Sequence, residues 1–427
     1  MERAAEGSSN VDRGGSSVLA VLFVVLYAVI LSLPLIIAGL TPPTEADPFL
    51  RQLGKSFALV AATILAMQAV LAGRLRTITR HYGLDMVLRF HKSMAVLAVV
   101  LLLAHPFLLA AGSGSWGLVT SLDMPWYIWL GRIALLLLLV QGVTSLFQRQ
   151  LLDYQVWRVI HNQAPIILGL AFVHSWLVGS DFTASSMQLL WVLIFGSAVV
   201  VYALHKFIWP MARKRKPWTV KSVNQETHDV WTLELEPPEG VEPLKYAPGQ
   251  FRFLTLYRGD GRYDGEEHHF TISSSPTTGP THTSTIKNAG DFTATIGDTK
   301  PGDRAVIQGP YGHFSHVLDP PADRYLFIAG GIGITPLMSM LRYMRDTGSE
   351  ARVVLLYGNT TEADIVFRGE LDSMVDAQRP PLRVVHVLSE EDWEGETGQI
   401  DRGLIARHVS DELSDWSVYL CGPAEMM

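Results

Sequence analysis

The sequence predicts an all-α membrane bundle of six helices, followed by a β-barrel domain and an α/β domain built on a parallel sheet. Three observations carry this. Residues 17–209 form six apolar runs of bilayer-spanning length, whereas residues from 217 onward have the mixed composition of a water-exposed protein. The connections between the runs divide by charge. Beyond residue 217, short alternating strands give way to a strand, glycine turn and helix unit.

The spans are drawn at 17–40, 52–72, 90–111, 126–147, 160–179 and 187–209, after a polar tail over 1–16 that is expected to be disordered. The first run has no small-residue cleavage site and reads as a retained span. Arg74, Arg76 and Arg80 follow the second span, and Arg89 and Lys92 flank the start of the third. Arg149 and Arg158 separate the fourth and fifth, and Arg213, Lys214, Arg215 and Lys216 follow the sixth. The opposite connections, 41–51, 112–125 and 180–186, hold Arg51 alone. The positive-inside rule therefore places both termini in the cytoplasm. Trp116, Trp126, Trp129, Trp176 and Trp191 are expected in an outer aromatic belt, and Trp157, Trp209 and Trp218 in an inner one. Arg132, Arg51 and Lys55, near the outer side, suit either an anionic group or snorkelling to the interface.

Ionisable residues inside spans are rare and usually functional. His91 and His105 share the third span with thirteen residues between them, and His161 and His174 share the fifth with twelve. Each pair covers roughly 20 Å at 1.5 Å per residue. Two such helices side by side set two His/His clamps, one near each membrane face. A lone histidine in an apolar helix is more often a hydrogen-bonded core residue. Two pairs of near-equal spacing favour a second role, since imidazole is an axial ligand of haem iron. Both spans run outward, so His91 pairs with His161 near the cytoplasm and His105 with His174 near the outer face. Fourteen positions bring His91 and His105 to one helix face, whereas thirteen do not align His161 with His174. Pro165 between them is a candidate bend.

The net charge of −7 is modest and says little about partners, and nothing in the sequence suggests nucleic-acid binding. Cys421, the sole cysteine, excludes an internal disulfide and a four-thiolate iron–sulfur cluster on this chain. Strands are expected over Trp218–Val223, Val230–Leu235 and Gln250–Thr255. They precede His268-His269-Phe270-Thr271-Ile272-Ser273-Ser274, where an aromatic followed by a hydroxyl suits a flavin ring and its N5 edge. Lys287-Asn288-Ala289-Gly290-Asp291-Phe292-Thr293 reads as a glycine turn opening a short helix, a pyrophosphate seat. Pro301-Gly302-Asp303 through Gly309-Pro310-Tyr311-Gly312 reads as a hairpin closing the barrel, which covers 217–318. The final domain, 322–427, opens on the buried strand Tyr325–Ala329. It runs into Gly330-Gly331-Ile332-Gly333-Ile334-Thr335-Pro336 and a helix, a nucleotide-phosphate arrangement distinct from GxGxxG. Strands at Val353–Tyr357, Arg383–Leu388 and Val418–Leu420 follow, the last ending in Cys421-Gly422-Pro423 on the ligand edge of the sheet. Cys421 there reads as a site residue or as a small buried one.

Together these motifs resemble the ferric reductase and NADPH oxidase superfamily, a six-span dihaem domain fused to a ferredoxin–NADP reductase-like module, over almost all of the chain beyond the tail. The resemblance implies two b-type haems on His91, His105, His161 and His174. It implies FAD on His268, Phe270, Thr271, Ser274, Lys287, Gly290, Phe292 and Thr293. NADPH or NADH would lie on Gly330, Gly331, Gly333, Thr335, Pro336, Gly422 and Pro423, with Thr271 and Cys421 nearest the chemistry. The implied activity moves electrons from cytoplasmic NAD(P)H through FAD and both haems to an external ferric chelate or O2, in a plasma (inner) membrane. Three departures stand out. His268 occupies a position where the plain reductases usually have Arg. Leu109 stands where animal NADPH oxidases carry a further His, which puts electron export ahead of superoxide production. The sequence stops at Met427, where the family continues through a last helix and strand, so a fragment is expected. The second nucleotide-domain strand is followed by Asn359-Thr360-Thr361, without the basic residue that would select NADPH, and Arg368 is a candidate substitute. Two alternatives belong to other classes: a membrane-anchored cytoplasmic flavin reductase without haem, and a haem subunit reducing quinone or a periplasmic partner.

Overall fold

The computed structural model describes residues 13–41, 47–259, 263–409 and 412–426. The chain divides into two compact units, Met1–Pro210 and Met211–Met427. Most of the expected tail and Met427 lie outside the described residues.

Six long apolar helices build the first unit: α1 (Arg13–Leu40), α2 (Phe49–Ala72), α3 (Leu84–Ser113), α4 (Trp126–Leu146), α5 (Tyr154–Val178) and α6 (Ser185–Lys214). Helices satisfy every backbone group internally, as a hydrocarbon solvent requires. Apolar side chains cover the outer faces, with Leu22, Val100, Leu136, Leu189 and Val199 all exposed. α1 starts at Arg13, so residues 13–16 are helical and not tail; once a span is nucleated, each added residue gains a bond for little further ordering. α3 starts at Leu84, which leaves Arg89 and Lys92 exposed within the helix, not flanking it.

α2 is the centre of this unit. Ala61, Ile64 and Ala66 are buried, and Ala61 and Ile64 meet Ala98 of α3. Small residues let the two backbones approach, the usual basis of packing where lipid removes the hydrophobic drive. α5 is not continuous. It is helical over Tyr154–His161, turns at Asn162 and Gln163, and resumes as Ala164–Val178 with Pro165 in the new first turn. Proline lacks the N–H that an unbroken helix would need there. Trp191 does not join an outer belt: it is fully buried, and its Nε1 donates to Ser175 Oγ at 2.8 Å. A buried indole is tolerated once its N–H is satisfied.

The second unit opens with β1 (Trp218–Thr227), β2 (Val230–Glu236), β3 (Phe251–Tyr257), β4 (Glu267–Thr271), β5 (His282–Lys287) and β6 (Arg304–Tyr311). They form one antiparallel sheet in the order β4-β3-β6-β1-β2-β5. Beyond the end of β4, Ser273 N bonds Thr283 O at 2.9 Å, drawing the two edge strands together as a barrel. Two expectations are corrected. The 301–312 segment is a turn leading into one strand, β6, not a hairpin, because its alternating apolar residues pair on both sides with β1 and β3. Trp218 is a barrel-core residue rather than a membrane-belt one, 7% exposed and stacked on His282.

The remainder is a parallel sheet of β7 (Arg324–Gly330), β8 (Arg352–Asn359), β9 (Leu382–Leu388), β10 (Glu396–Thr397) and β11 (Ser417–Cys421), in the order β10-β9-β8-β7-β11. α7 (Ile334–Thr347) and α8 (Arg368–Ala377) accompany it. The strand order reverses beside β7, with β8 on one side and β11 on the other. Ligands bind at the carboxyl ends of strands at such a switch point.

Candidate functional site

In the membrane unit the histidines meet as pairs. The rings of His91 and His161 have centroids 6.2 Å apart and planes at 68°. His105 and His174 lie within electrostatic reach of each other. The neighbouring helices hold these rings. His105 Nδ1 is 2.8 Å from Gly54 O of α2, and His174 Nδ1 is 2.8 Å from Tyr127 O of α4. A carbonyl only accepts, so both Nδ1 atoms carry the proton and Nε2 keeps its lone pair. The inner rings have weaker supports. His91 looks toward the Gln68 backbone of α2 without reaching hydrogen-bond geometry. His161 Nδ1 lies 3.4 Å from the Gln141 side chain of α4. The buried Gln141 Oε1 lacks a partner; an amide turned by 180° would bring it to His161 Nδ1. Trp157 stacks on His161 at 4.9 Å and is anchored by Ser145.

The supports repeat. Gly54 and Gln68 are fourteen positions apart on α2, as are Tyr127 and Gln141 on α4 and His91 and His105 on α3. The break at Asn162-Gln163 lets the shorter His161–His174 interval match them. Without it, thirteen residues rotate about 220° and point the rings oppositely. Gly131 supplies space: a Cβ there would stand 2.6 Å from the His174 ring.

This donor set fits b-type haem. Metal-bound histidine almost always gives its other N–H to a carboxylate, a backbone carbonyl or water, and the outer pair meets backbone carbonyls. A metal shared by two imidazoles at about 2 Å each, with ring centres about 1 Å further back, sets the centroids about 6 Å apart. Arg132 donates to Ser121 O and Leu118 O of the outer connection at 2.7 and 2.8 Å and lies over Trp129. Arg51 and Lys55 both pair with Asp47.

In the second unit, the flavin-motif residues gather at one end of the barrel. His268 stacks on Phe292 at 3.9 Å, Phe270 lies 6.3 Å from Phe292, and Glu266 bonds His268 Nε2 at 3.2 Å. Thr271 closes β4, its carbonyl accepting from Ser284 Oγ at 3.0 Å. Ser274 meets Tyr246 OH at 2.9 Å, and its carbonyl accepts from Ser339 Oγ of α7 at 2.7 Å. Burial pushes the Tyr246 hydroxyl up to about 12, so it stays protonated. Lys287 pairs with Asp229 at 3.3 Å. Thr293 Oγ1 accepts from Ala289 N and donates to Gly290 O, shaping the glycine turn; the helix it opens is a six-residue 3₁₀ turn.

The nucleotide-motif residues also converge. Gly330 ends β7, and a Cβ on it would stand 2.7 Å from Pro423. Gly331 has φ +51°, open to glycine at no steric penalty. A Cβ on Gly333 would stand 2.2 Å from Cys421 O. Thr335 Oγ1 donates to Ile332 O at 3.0 Å, and Pro336 is buried in the first turn of α7. Gly422 lies against Gly330, completing a crevice at the β7/β11 switch point. Burial raises the Cys421 thiol, keeping it protonated, which suits a contact role over nucleophilic attack.

Contacts that sequence reasoning missed join the two lobes of this unit. Arg342 of α7 donates to Ser273 O at 2.7 Å and pairs with Glu370 at 2.5 Å. Ser339 bridges Gly249 N and Ser274 O. Arg368 pairs with Glu362 at the edge of a cleft of about 320 Å³ that Arg342 and Glu226 also line.

Comparison with known proteins matches both units. Residues 57–173 match the family described as ferric reductase like transmembrane component, and residues 327–427 match the oxidoreductase NAD-binding domain. The glycine betaine monooxygenase reductase subunit of Chromohalobacter salexigens is 33% identical over 216 residues, 48% of this chain and 56% of that protein. NADH-cytochrome b5 reductase 1 of Candida glabrata is 34% identical over 143 residues, 32% of this chain and 50% of that protein. The chain thus spans about half the length of these curated relatives. Among solved structures, the cytochrome b5 reductase domain of Ulva prolifera nitrate reductase is 22% identical, covering 49% of this chain and 87% of that one at a TM-score of 0.44. The chain is an integral membrane oxidoreductase with a nicotinamide-nucleotide domain. It carries a ferric-reductase-like transmembrane component and an oxidoreductase NAD-binding domain in the order in which the ferric reductase and NADPH oxidase superfamily fuses them.

Proposed function

We propose that this protein carries electrons from cytoplasmic NAD(P)H, through FAD and two b-type haems, to a ferric chelate or O2 on the opposite face of a plasma (inner) membrane. The observation that carries the reading is the pairing of four intramembrane histidines, with the outer two each hydrogen-bonded at Nδ1 to a carbonyl of the neighbouring helix. When bound, flavin converts a two-electron donor into the one-electron supply that haem iron accepts. His91 and His161 hold the inner site and His105 and His174 the outer one. Gly54 and Tyr127 orient the outer rings, and Gly131 makes room for His174. Gly330, Gly331, Gly333, Gly422 and Pro423 let the nucleotide backbone approach the sheet edge, with Thr335 and Pro336 shaping the helix start. Phe270 and Thr271 meet the flavin ring, Ser274 and Tyr246 fix the strand end, and His268, Gly290, Phe292 and Thr293 take the phosphate side. Arginines on the 74–80 connection and cations over 213–216 support the cytoplasmic orientation.

The test is a reduced-minus-oxidised spectrum of the detergent-solubilised protein after NADPH or NADH is added. Sharp low-spin b-type bands, halved in His105→Ala or His174→Ala, are expected. Reduced flavin without haem bands, in folded protein supplied with haem, would overturn the transmembrane path and leave the membrane unit an anchor.

A further inference from the structure

Arg252 of β3 is fully buried inside the barrel, with 0% of its surface exposed. A buried guanidinium ordinarily sits against a carboxylate, because taking an unpaired charge out of water is costly. Here its hydrogen-bond partners are neutral. Nη1 bonds His282 Nδ1 at 2.7 Å, Nη2 bonds Ser284 Oγ at 3.2 Å, and Nε has no partner. Among the described residues no carboxylate pairs with it. His282 adds no charge: burial and the adjacent guanidinium push its imidazole down to about 3. It is stacked on Trp218 at 4.6 Å, which fixes the ring.

The charge lies beside the expected flavin strand. Arg252 is the cross-strand partner of Phe270 in the β3–β4 ladder, and directly opposed residues share a face with their Cβ atoms about 5 Å apart. Ser284, which accepts from Arg252, donates in turn to the carbonyl of Thr271. One short relay therefore runs from the guanidinium to the residue placed at the reactive edge of the ring.

We propose that Arg252 is an electrostatic positioning residue for flavin, whose uncompensated positive charge favours the reduced, anionic ring over the oxidised one. The inference rests on the flavin reading above. Hydride transfer from NAD(P)H leaves the nicotinamide as its cation and delivers two electrons and one proton to the flavin. The neutral ring thereby gains one net negative charge. A fixed cation in a low-dielectric setting stabilises that charge without reorganising.

The test is an equilibrium reductive titration of the full-length FAD-loaded protein against a reference dye, on wild type and three variants. Arg252→Met removes the charge, and Arg252→Lys retains it. His282→Glu keeps the guanidinium and supplies the missing counter-charge, so it reads the same quantity if the Met variant does not fold. Expected is at least a tenfold loss of relative affinity for reduced flavin in Arg252→Met and His282→Glu, a fall of about 30 mV in the two-electron midpoint. Arg252→Lys should stay near wild type. Midpoints of both charge-altered variants within twofold of wild type would overturn the proposal and leave the flavin reading intact. A wild-type protein that takes up no flavin would overturn both.

Discussion

Gly131 shows how a residue without a side chain can decide where a proposed haem ligand points. Any Cβ there meets three atoms of the His174 imidazole within 2.8 Å, and Tyr127, one turn earlier, offers the carbonyl that the same ring needs. Gly131→Ala is expected to push the ring off that carbonyl and weaken outer-site haem binding about 10–100-fold, the usual effect of losing a support to a metal ligand. Haem content per purified chain should then fall toward one, while NAD(P)H-driven dye reduction by the second unit persists. Glu370 makes a different argument, about pH. Arg342 and Arg345 hold its carboxylate below the ordinary 4.5 despite its partial burial. A depressed acid stabilises the fold fully above the unfolded value, and that stability drains away as pH falls through the folded one. Glu370→Gln should therefore lower thermal stability at pH 7 by about 1–2 kcal/mol and narrow the gap to wild type below pH 4.5. A thermal melt at both pH values checks it.

At the scale of elements, the break in α5 is the device that matters. Both halves of the fifth span are helical, yet the turn at Asn162-Gln163 and Pro165 rephases the second half against the first. Pro165→Ala favours an unbroken helix and should misdirect one of its two histidines. The expected result is loss or altered axial geometry of one haem, read as a changed low-spin electron paramagnetic resonance signal. A variant with two unaltered haems would show that neighbouring helices alone impose the phase. The glycine turn after β7 is comparable. Gly333→Ala brings a Cβ to within 2.2 Å of the Cys421 carbonyl, so β11 must shift, and KM for NAD(P)H should rise about tenfold with smaller change in kcat. What could be read in advance follows from where the chemistry is carried. Histidines in apolar runs and glycines after a strand announce themselves by type and spacing. The carbonyls of Gly54 and Tyr127 do not, because a backbone oxygen has no signature in the sequence. Trp191 and Trp218 looked like interfacial aromatics because hydropathy places a residue along the chain but not around a helix or within a barrel. Arg252 gave no warning either, since alternation along β3 predicts an apolar residue at its position.

At the scale of the whole molecule, the charged connections and the histidine ladder make one joint prediction about direction. The cations at 74–80 and 213–216 lie on the side of the bundle assigned to His91 and His161, and the nearly cation-free connections lie on the side of His105 and His174. Under the proposed function, a chain oriented by that asymmetry is expected to take NAD(P)H on the cationic face and release electrons on the other. Sealed proteoliposomes with the cationic face outward and a membrane-impermeant ferric chelate trapped inside separate export from leakage. NAD(P)H added outside should reduce the internal chelate in wild type. His105→Ala should stop that while leaving reduction of an external dye intact, because only the outer relay is cut. If the chelate is reduced only when it shares a compartment with NAD(P)H, the ladder does not conduct. The paired rings and their Nδ1 supports would then be hydrogen-bonded packing inside an anchor, which the same His105→Ala variant would reveal as lost thermal stability with no change in electron flow.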